Sequence, residues 1–184
     1  AGLRPIYVHQ RMDFLLLCMN QLVNMAAKIR YMSSAEHTVP LVIRAAIGRS
    51  WGQGAQHSQA FHSYFMHVPG IKVIAPSTPH DAKGALIASI RDNNPVIFVE
   101  HRMLYKNAGY VPSEAYEVPF GKGRILRKGD DITIVGVSHT VEDSLRAAEL
   151  LKGVGVNAEI IDPISLSPID YELIRKSVTK TKRL

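Results

Sequence analysis

The strongest constraint on the fold is a strand–helix–strand pattern in the middle of the chain. The apolar run IKVIAP at 71–76 leads into a helix start, in which Thr78 is the N-cap, Pro79 the first helical residue and Asp81 the third. A second apolar run, PVIFV, follows this helix. Continuous apolar strands joined by a helix are typical of a parallel sheet covered by helices on both faces. The chain is therefore predicted to be an α/β protein.

The same alternation extends in both directions along the chain. The other predicted strands are RPIYV at 4–8, TVPLVIRAA at 38–46, DITIVGV at 131–137 and NAEIID at 157–162. A long helix is predicted from a cap at Asp13 to about Met32. Its predicted buried face carries Leu16, Met19, Val23, Ala26 and Ala27. Two further helices are predicted, one around 141–152 and one that Ser167-Pro168-x-Asp170 opens.

Residues 105–119 divide the pattern into two parts. They are rich in Gly, Pro, Asn and Ser without any period, which predicts a linker between a first domain at 1–104 and a second at 120–184. Only two convincing strands and two helices follow the linker, and a two-stranded sheet buries its faces poorly. Both domains are expected to be incomplete, and the chain is expected to be a fragment that lacks both ends of a longer protein.

Composition and charge argue against several classes of partner. The net charge is +6, but the basic residues are scattered and the densest run, 180–183, has no interleaved aromatic residues, so no nucleic-acid partner is predicted. The most apolar run, 14–19, is too short to span a membrane, so no membrane partner is predicted. Cys18, the only cysteine, lies among leucines and methionines and is predicted to be a buried, inert thiol.

A polar loop after the strand at 38–46 is the candidate functional site. It runs from the glycine-rich IGRSWGQG at 47–54 into AQHSQ, which contains His57. In open α/β sheets the carboxyl ends of the strands are where ligands bind. The pattern alone leaves two interpretations open, an active-site histidine or one that caps the next short helix. His62 and His67 follow at intervals of five residues, which is not a same-face spacing on a helix, so no histidine metal site is predicted.

Several motifs together resemble one family. They are RPI, NQLVNMAAKIRYM, AQHSQ, HVPGIKVIAPSTPHDAKG, IRDNNPVIFVEH, LY, VPFGKGRILRKGDDITIV and SPIDYELIRKSVTKT. In this order and spacing they are similar to the beta subunit of the thiamine-diphosphate-dependent 2-oxo acid dehydrogenases, of the pyruvate and branched-chain type. The resemblance implies a pyrimidine-binding domain at 1–104 and the start of a transketolase-type C-terminal domain at 120–184.

The resemblance also implies an activity and partners. The beta subunit pairs with an alpha subunit, which holds the diphosphate through magnesium, and with a second beta subunit in a heterotetramer. The assembly decarboxylates a 2-oxo acid and passes the acyl group to a lipoyl arm on the acyltransferase core. The implied location is the bacterial cytoplasm or the mitochondrial matrix. A sheet that lacks strands would expose edges and apolar area, so self-association or an alpha partner is expected.

The resemblance assigns roles to particular residues. His57 matches the active-site histidine that acts on the substrate carboxylate and on proton transfer. Phe14 matches the aromatic residue that packs against the aminopyrimidine ring, and Gln10 a position in the same pocket. From the residues alone, Phe14 is by default a core residue of a helix. Gln10 fits a pocket-lining position and a solvent-facing strand end about equally well. The resemblance further implies a potassium ion bound by backbone carbonyls of Leu41, Ser89, Asp92 and Asn94, at a helix end whose carbonyls are otherwise unsatisfied.

One residue of the family pattern falls outside the sequence. The glutamate that hydrogen-bonds the aminopyrimidine ring lies upstream of the position matching Ala1, and neither Glu36 nor Glu100 stands at its place. The isolated chain is therefore expected to lack decarboxylase activity. Two alternatives to an enzyme subunit of this type stay open: a non-catalytic binding or assembly module with the same fold, and a relative of transketolase or deoxyxylulose-phosphate synthase.

Overall fold

The computed structural model of the chain describes residues 2–49 and 52–184, which form two sheets flanked by helices. The first sheet has the order β1-β2-β4-β3-β8, with strands β1 (Ile6–His9), β2 (Val42–Ile47), β3 (Lys72–Ile74), β4 (Val96–His101) and β8 (Ser165–Ser167). The second has the order β5-β7-β6, with strands β5 (Arg124–Arg127), β6 (Ile132–Val135) and β7 (Ala158–Asp162). The α-helices are α1 (Ala27–Met32), α2 (His62–Met66), α3 (Pro79–Arg91), α4 (Thr140–Lys152) and α5 (Tyr171–Thr181). The α/β prediction is confirmed. Ser50 and Trp51 of the predicted glycine-rich loop lie outside the described residues.

Each face of the first sheet has its own core. On one face Ile43 and Ile97 pack against Met12, Leu15 and Phe65, which come from the helical segments before β2 and β3. On the other face a second cluster joins β2, β3 and β4 to α3, through Val42, Ile74, Phe98 and Ala85. Burial of these alternating side chains fixes the strand register, because a slip of one residue would exchange the two faces.

The predicted start signal of α3 is confirmed, whereas that of α5 is displaced by three residues. Ser167 belongs to β8, and Asp170 is the N-cap of α5 rather than its third residue. The Thr78 side chain accepts a hydrogen bond from the Asp81 N–H, and Pro79 is the first helical residue. At α5 the Asp170 carboxylate accepts from the Leu173 N–H at 3.0 Å. Within the described ranges no helix is long and apolar enough to cross a membrane.

The predicted helix from Asp13 to Met32 differs in its start and in its buried face. The chain is helical there, but it begins as a 3₁₀ helix (Met12–Cys18), widens to a π-helix (Gln21–Ala26) and becomes regular only in α1. Asp13 is not the cap, because it lies inside the first turn and its carboxylate bonds to Gln59. The buried apolar side chains are Met12, Leu15, Leu22 and Ala27, so only Ala27 of the predicted face is confirmed as buried. Changes of helix type shift the angle between successive side chains, which moves the buried face.

Two strands of the second half were not predicted. β5 pairs antiparallel with β7, and β8 pairs antiparallel with β3 of the first sheet. The prediction of only two strands after residue 119 is therefore wrong, and both sheets are mixed rather than purely parallel. The second sheet has three strands. β8 comes from the second half of the chain but belongs to the first sheet, so that sheet contains strands from both halves.

Buried polar contacts also join the halves. Arg124 of β5 forms an ion pair with Asp81 of α3 and donates a hydrogen bond to the Thr78 hydroxyl at 3.2 Å. Asp162, at the end of β7, is fully buried and accepts hydrogen bonds from the Ser77 hydroxyl and from the Ile164 N–H. Burial raises the pKa of the Asp162 carboxyl, and the nearby Asp81 charge raises it further.

The raised pKa of Asp162 predicts a pH-dependent stability. A carboxyl whose pKa is higher in the folded state contributes most stability below its unfolded pKa, about 3.9, and that contribution is lost as the pH rises through the folded pKa. Asp162→Asn should therefore flatten the decrease in unfolding free energy between about pH 4 and pH 7. Urea unfolding across this range checks the slope, with the exposed Asp130→Asn as control. An unchanged slope in Asp162→Asn would contradict the assignment.

Candidate functional site

The candidate site lies at the carboxyl ends of β1, β2 and β4. Three 3₁₀ segments follow these strands: Met12–Cys18 after β1, Ala55–His57 after β2 and Arg102–Leu104 after β4. Because the three strands are parallel and adjacent, the segments after them meet at one edge of the sheet.

Two of the predicted site residues meet at this edge. The rings of Phe14 and His57 lie 5.2 Å apart between centroids, at an interplanar angle of 69°, which is an edge-to-face contact. Phe14 remains 40% exposed, so part of its ring is open to a ligand. Among the described residues no side chain hydrogen-bonds to the His57 ring. The pair therefore presents one aromatic surface and one imidazole at the same place.

Asp13 connects the first segment to the loop after His57. Its Oδ1 accepts hydrogen bonds from the Gln59 backbone N–H at 3.1 Å and from the Gln59 Nε2 at 2.9 Å. Its Oδ2 is buried and has no hydrogen-bond partner in the described part of the chain. A buried carboxylate oxygen without a partner is costly, which makes Asp13 a group that a bound ligand could satisfy.

Gln53 lies between two arginines. Its Oε1 accepts from Arg11 Nε and from Arg102 Nη1, both at 2.7 Å, and Arg102 also donates to the His57 carbonyl at 3.2 Å. Burial lowers the pKa of Arg102, and the neighbouring Arg11 charge lowers it further. The contacts fix the backbone of His57, and the two guanidinium groups make this edge of the sheet electropositive.

The side chain of the predicted residue Gln10 makes no described contact with this group. Its side chain is exposed, and its carbonyl accepts a hydrogen bond from Arg11 at 2.6 Å. Sequence reasoning missed Asp13, Gln53 and Arg102 as site residues. Each of them is a polar residue that follows a predicted strand. This signal is weak, because it indicates a shared site only when the strands are known to be neighbours.

The four predicted potassium ligands lie around the end of α3. Three of their carbonyls already accept hydrogen bonds: Leu41 from the Val96 N–H at 2.9 Å, Ser89 from the Asp92 N–H at 3.3 Å, and Asp92 from Arg4 at 2.9 Å. Lys72 also forms an ion pair with the Asp92 carboxylate. Two side-chain cations thus already occupy this helix end. No group of three His, Cys, Asp or Glu side chains that could hold a metal ion was found among residues 2–49 and 52–184.

The fold is that of an α/β protein, and its candidate site lies at the carboxyl edge of the first sheet. Residues 1–107 match the family described as transketolase, pyrimidine binding domain, and residues 121–184 match transketolase, C-terminal domain. The chain belongs to this transketolase-type family, and its resemblance to the beta subunits of thiamine-diphosphate-dependent 2-oxo acid dehydrogenases is confirmed.

Similar proteins support the same family. The chain is 47% identical over 184 residues to the acetoin:2,6-dichlorophenolindophenol oxidoreductase subunit beta of Cupriavidus necator, and covers 54% of that protein. It is 46% identical to the mitochondrial pyruvate dehydrogenase E1 component subunit beta of Caenorhabditis elegans, and 40% identical to the 2-oxoisovalerate dehydrogenase subunit beta of Bacillus subtilis. All of this chain is aligned in both comparisons. It covers 53% of the Caenorhabditis elegans protein and 56% of the Bacillus subtilis protein. The chain thus spans about half the length of the curated relatives it matches.

A solved structure shows the same fold. A split-gene transketolase, described as an inactive beta4 tetramer, matches 98% of this chain and 55% of its own chain, with a TM-score of 0.80 and 23% sequence identity. At this identity the likeness supports the fold alone.

Proposed function

We propose that residues 1–184 form the part of a 2-oxo acid dehydrogenase beta subunit that binds the aminopyrimidine half of thiamine diphosphate. The observation that carries the proposal is the Phe14–His57 contact at the carboxyl edge of the first sheet. With an alpha subunit, the complete protein would decarboxylate a 2-oxo acid and pass the acyl group to a lipoyl domain.

The site residues fit one half of this cofactor. The exposed flank of Phe14 offers an apolar surface for a flat ring, and the unpartnered Asp13 Oδ2 offers a buried acceptor beside it. Gln10, on the exposed strand end before Phe14, is proposed as a further lining residue. When bound, thiamine diphosphate supplies the carbon nucleophile and the electron sink for decarboxylation. Magnesium and the diphosphate would be held by the alpha subunit, since nothing in the described site offers a cluster of carboxylates.

The role proposed for His57 follows from its position. An imidazole carries one donor and one acceptor nitrogen, so it can hold a substrate carboxylate or move a proton within hydrogen-bond reach. Arg102 and Gln53 would hold the His57 backbone in place, because Arg102 donates to its carbonyl and to the Gln53 amide oxygen. The electropositive surroundings favour an anionic substrate such as a 2-oxo acid.

Exposed apolar surface supports the proposed partners. Strand β1 is an edge strand, and its Ile6, Tyr7 and Val8 are 43%, 50% and 55% exposed. An exposed apolar edge is a ready surface for another chain. We propose an alpha subunit and a second beta subunit as the occupants, with the lipoyl acyltransferase core as a further partner. The division into domains at 1–104 and 120–184 with a linker at 105–119, and a bacterial cytoplasmic or mitochondrial matrix location, are parts of the same proposal.

A chimera of this chain with a related beta subunit tests the proposed function. Residues 1–184 replace the matched segment of the Cupriavidus necator subunit, which is 47% identical, and the product is combined with the other subunit of that enzyme. We expect thiamine-diphosphate-dependent reduction of 2,6-dichlorophenolindophenol with acetoin, pyruvate or 2-oxoisovalerate. Residues 1–184 alone, with thiamine diphosphate and magnesium, should show no activity. A chimera that is folded and assembled but inactive with all three substrates would contradict the proposal.

A second candidate function is a non-catalytic assembly module. The observation that favours it is the exposed apolar edge strand β1, which offers a surface for another chain whether or not the chain takes part in catalysis. The two candidates differ in one measurable respect, because a module would assemble with the partner subunit in the chimera and contribute no turnover. Light scattering and dye reduction on the same chimeric sample separate them.

Potassium binding at the end of α3 is a further, separate proposal. Each carbonyl oxygen has a second lone pair, so Leu41, Ser89, Asp92 and Asn94 could still coordinate an ion. The Arg4 guanidinium competes with the ion for the Asp92 carbonyl, so removing the Arg4 charge should strengthen potassium binding. We expect Arg4→Gln to increase the difference in melting temperature between potassium and sodium chloride at equal ionic strength. An equal melting temperature in the two salts for both proteins would exclude the site.

A further inference from the structure

A cavity lies between the two halves of the chain, and neither Phe14 nor His57 lines it. It has a volume of about 270 Å³, the space of roughly nine water molecules at about 30 Å³ each. One wall is the carboxyl edge of β2, β3 and β4, where Ile47, Ala75 and Val99 line it. The opposite wall is the turn before α4 and the start of that helix, residues 137–140. We call this space the junction cavity.

Three buried polar atoms without partners belong to residues that line the junction cavity. They are His62 Nδ1, Ser138 Oγ and His139 Nδ1. Ser138 is only 2% exposed, and the nearest carboxylate to His139 Nδ1 is that of Glu142 at 3.5 Å. Only two other described side chains, Asp13 and Arg124, have a buried polar atom without a hydrogen-bond partner. A buried polar group without a hydrogen-bond partner is costly, so three of them around one space mark a place that a ligand with matching groups could fill.

The surroundings of the cavity are electropositive. Burial, and then the charges of His139, Arg102 and Arg49, lower the pKa of His101 to about 4, so His101 is neutral at pH 7. Burial also lowers the pKa of His62. The rings of His101 and His139 stack at 4.9 Å across the junction. Arg49 and Arg102 thus place positive charge near His101, which favours an anion over a cation in the cavity.

Helix α4 adds a partial positive charge at the same place. It has 13 residues, its N-cap is His139, and its first turn borders the cavity. Glu142 and Asp143 in that turn carry the opposite charge. Arg146 forms an ion pair with Asp143, which offsets that charge. Glu142 accepts a hydrogen bond from Asn107 and lies 3.5 Å from His139 Nδ1, so a bound anion competes with this carboxylate for His139.

We propose that the junction cavity binds one small oxyanion, a carboxylate or a phosphate, between the two halves of the chain. Ser138 Oγ–H and the Nδ1–H groups of His62 and His139 donate to the anion, and the N-terminus of α4 faces it. The apolar residues of one wall lower the local dielectric, which strengthens these hydrogen bonds. Because both halves contribute donors, the bound anion stabilises their junction. The site is separate from the proposed thiamine diphosphate site and needs neither cofactor nor partner.

Residues 1–184 titrated with sodium phosphate and with sodium acetate test the proposal. Ionic strength is held constant with sodium chloride, and both the melting temperature and the histidine ring signals in NMR are followed. We expect a saturable response to at least one of the two anions, and the tighter of them identifies the oxyanion class. Ser138→Ala and His139→Gln should each weaken binding about tenfold or more, the loss of one charge-assisted hydrogen bond. The exposed Ser113→Ala and His37→Gln should bind as the unmodified chain does.

Two outcomes overturn the proposal. One is a response to both anions no larger than that to sodium chloride, which leaves only water in the cavity. The other is saturable binding that Ser138→Ala and His139→Gln do not weaken, which places the anion elsewhere. If either variant unfolds, Ala60→Leu keeps the test decisive, because it narrows the cavity and removes no polar atom. Unchanged binding in a folded Ala60→Leu protein also excludes the site. Dye reduction by the chimera is a separate measurement, so this proposal and the proposed function can fail independently.

Discussion

In the chimeric enzyme, His57→Ala is expected to lower turnover by about 10²- to 10⁴-fold, the usual contribution of a positioned proton-transfer group. The reason is that His57 is the imidazole that the Phe14 contact and the Arg102 bond to its carbonyl hold at the carboxyl edge. Steady-state dye reduction at saturating thiamine diphosphate measures the effect. His37→Ala is the matched control, because His37 is exposed and its backbone N–H makes its only described hydrogen bond, to Ser33.

Substitutions of Phe14 and of His57 should change different kinetic quantities. Phe14→Leu removes an aromatic contact of about 0.5–1.5 kcal/mol, so it should raise the half-saturating thiamine diphosphate concentration by roughly two- to twelvefold and leave turnover nearly unchanged. His57→Ala should lower turnover with little effect on that concentration. If both variants changed only cofactor affinity, His57 would be a lining residue and the proposed catalytic role would be wrong.

Local signals in the sequence predicted some elements well. The Thr78-Pro79-Asp81 start of α3 needs no distant partner, since the cap, the first residue and the third all act within one turn. The strands around it are apolar runs that are buried on both faces, a pattern visible without the fold. These elements position the carboxyl edge where His57 lies.

Other elements depend on residues far apart in the chain. β5 and β8 are short, and each pairs antiparallel with a strand that follows or precedes it by many residues. Asp13 has the residue type of a helix cap, but the Gln59 amide competes for its carboxylate. Gln53 and Arg102 are 49 positions apart and meet only because β2 and β4 are neighbours. No local pattern carries that information.

At the start of the long helical stretch, the predicted helix is present but a different leucine is buried. A regular helix of 3.6 residues per turn predicts Leu16 on the buried face, whereas the 3₁₀ turn buries Leu15 completely and leaves Leu17 86% exposed. The apolar run LLLC offers no contrast between neighbouring positions, so the sequence cannot choose among them. The packing of Leu15 with Met12 and Ile43 against the first sheet decides the phase.

Leu15→Ala is accordingly expected to lower the free energy of unfolding by about 2–5 kcal/mol, because it leaves a cavity in a fully packed core. Leu17→Ala should change it by no more than about 0.5 kcal/mol. Both variants replace leucine with alanine in the same 3₁₀ helix, so differences in intrinsic helix propensity largely cancel between them. Urea unfolding of residues 1–184, followed by circular dichroism, measures both values.

Leu16→Ala completes the comparison, because a regular helix and the observed 3₁₀ turn rank it differently. With the observed turn, Leu16 is partly buried and its replacement should cost less than that of Leu15. With a regular helix, Leu16→Ala would be the most destabilising of the three. That order would contradict the described turn, and with it the position of Phe14 beside His57, since Phe14 lies on the same 3₁₀ helix.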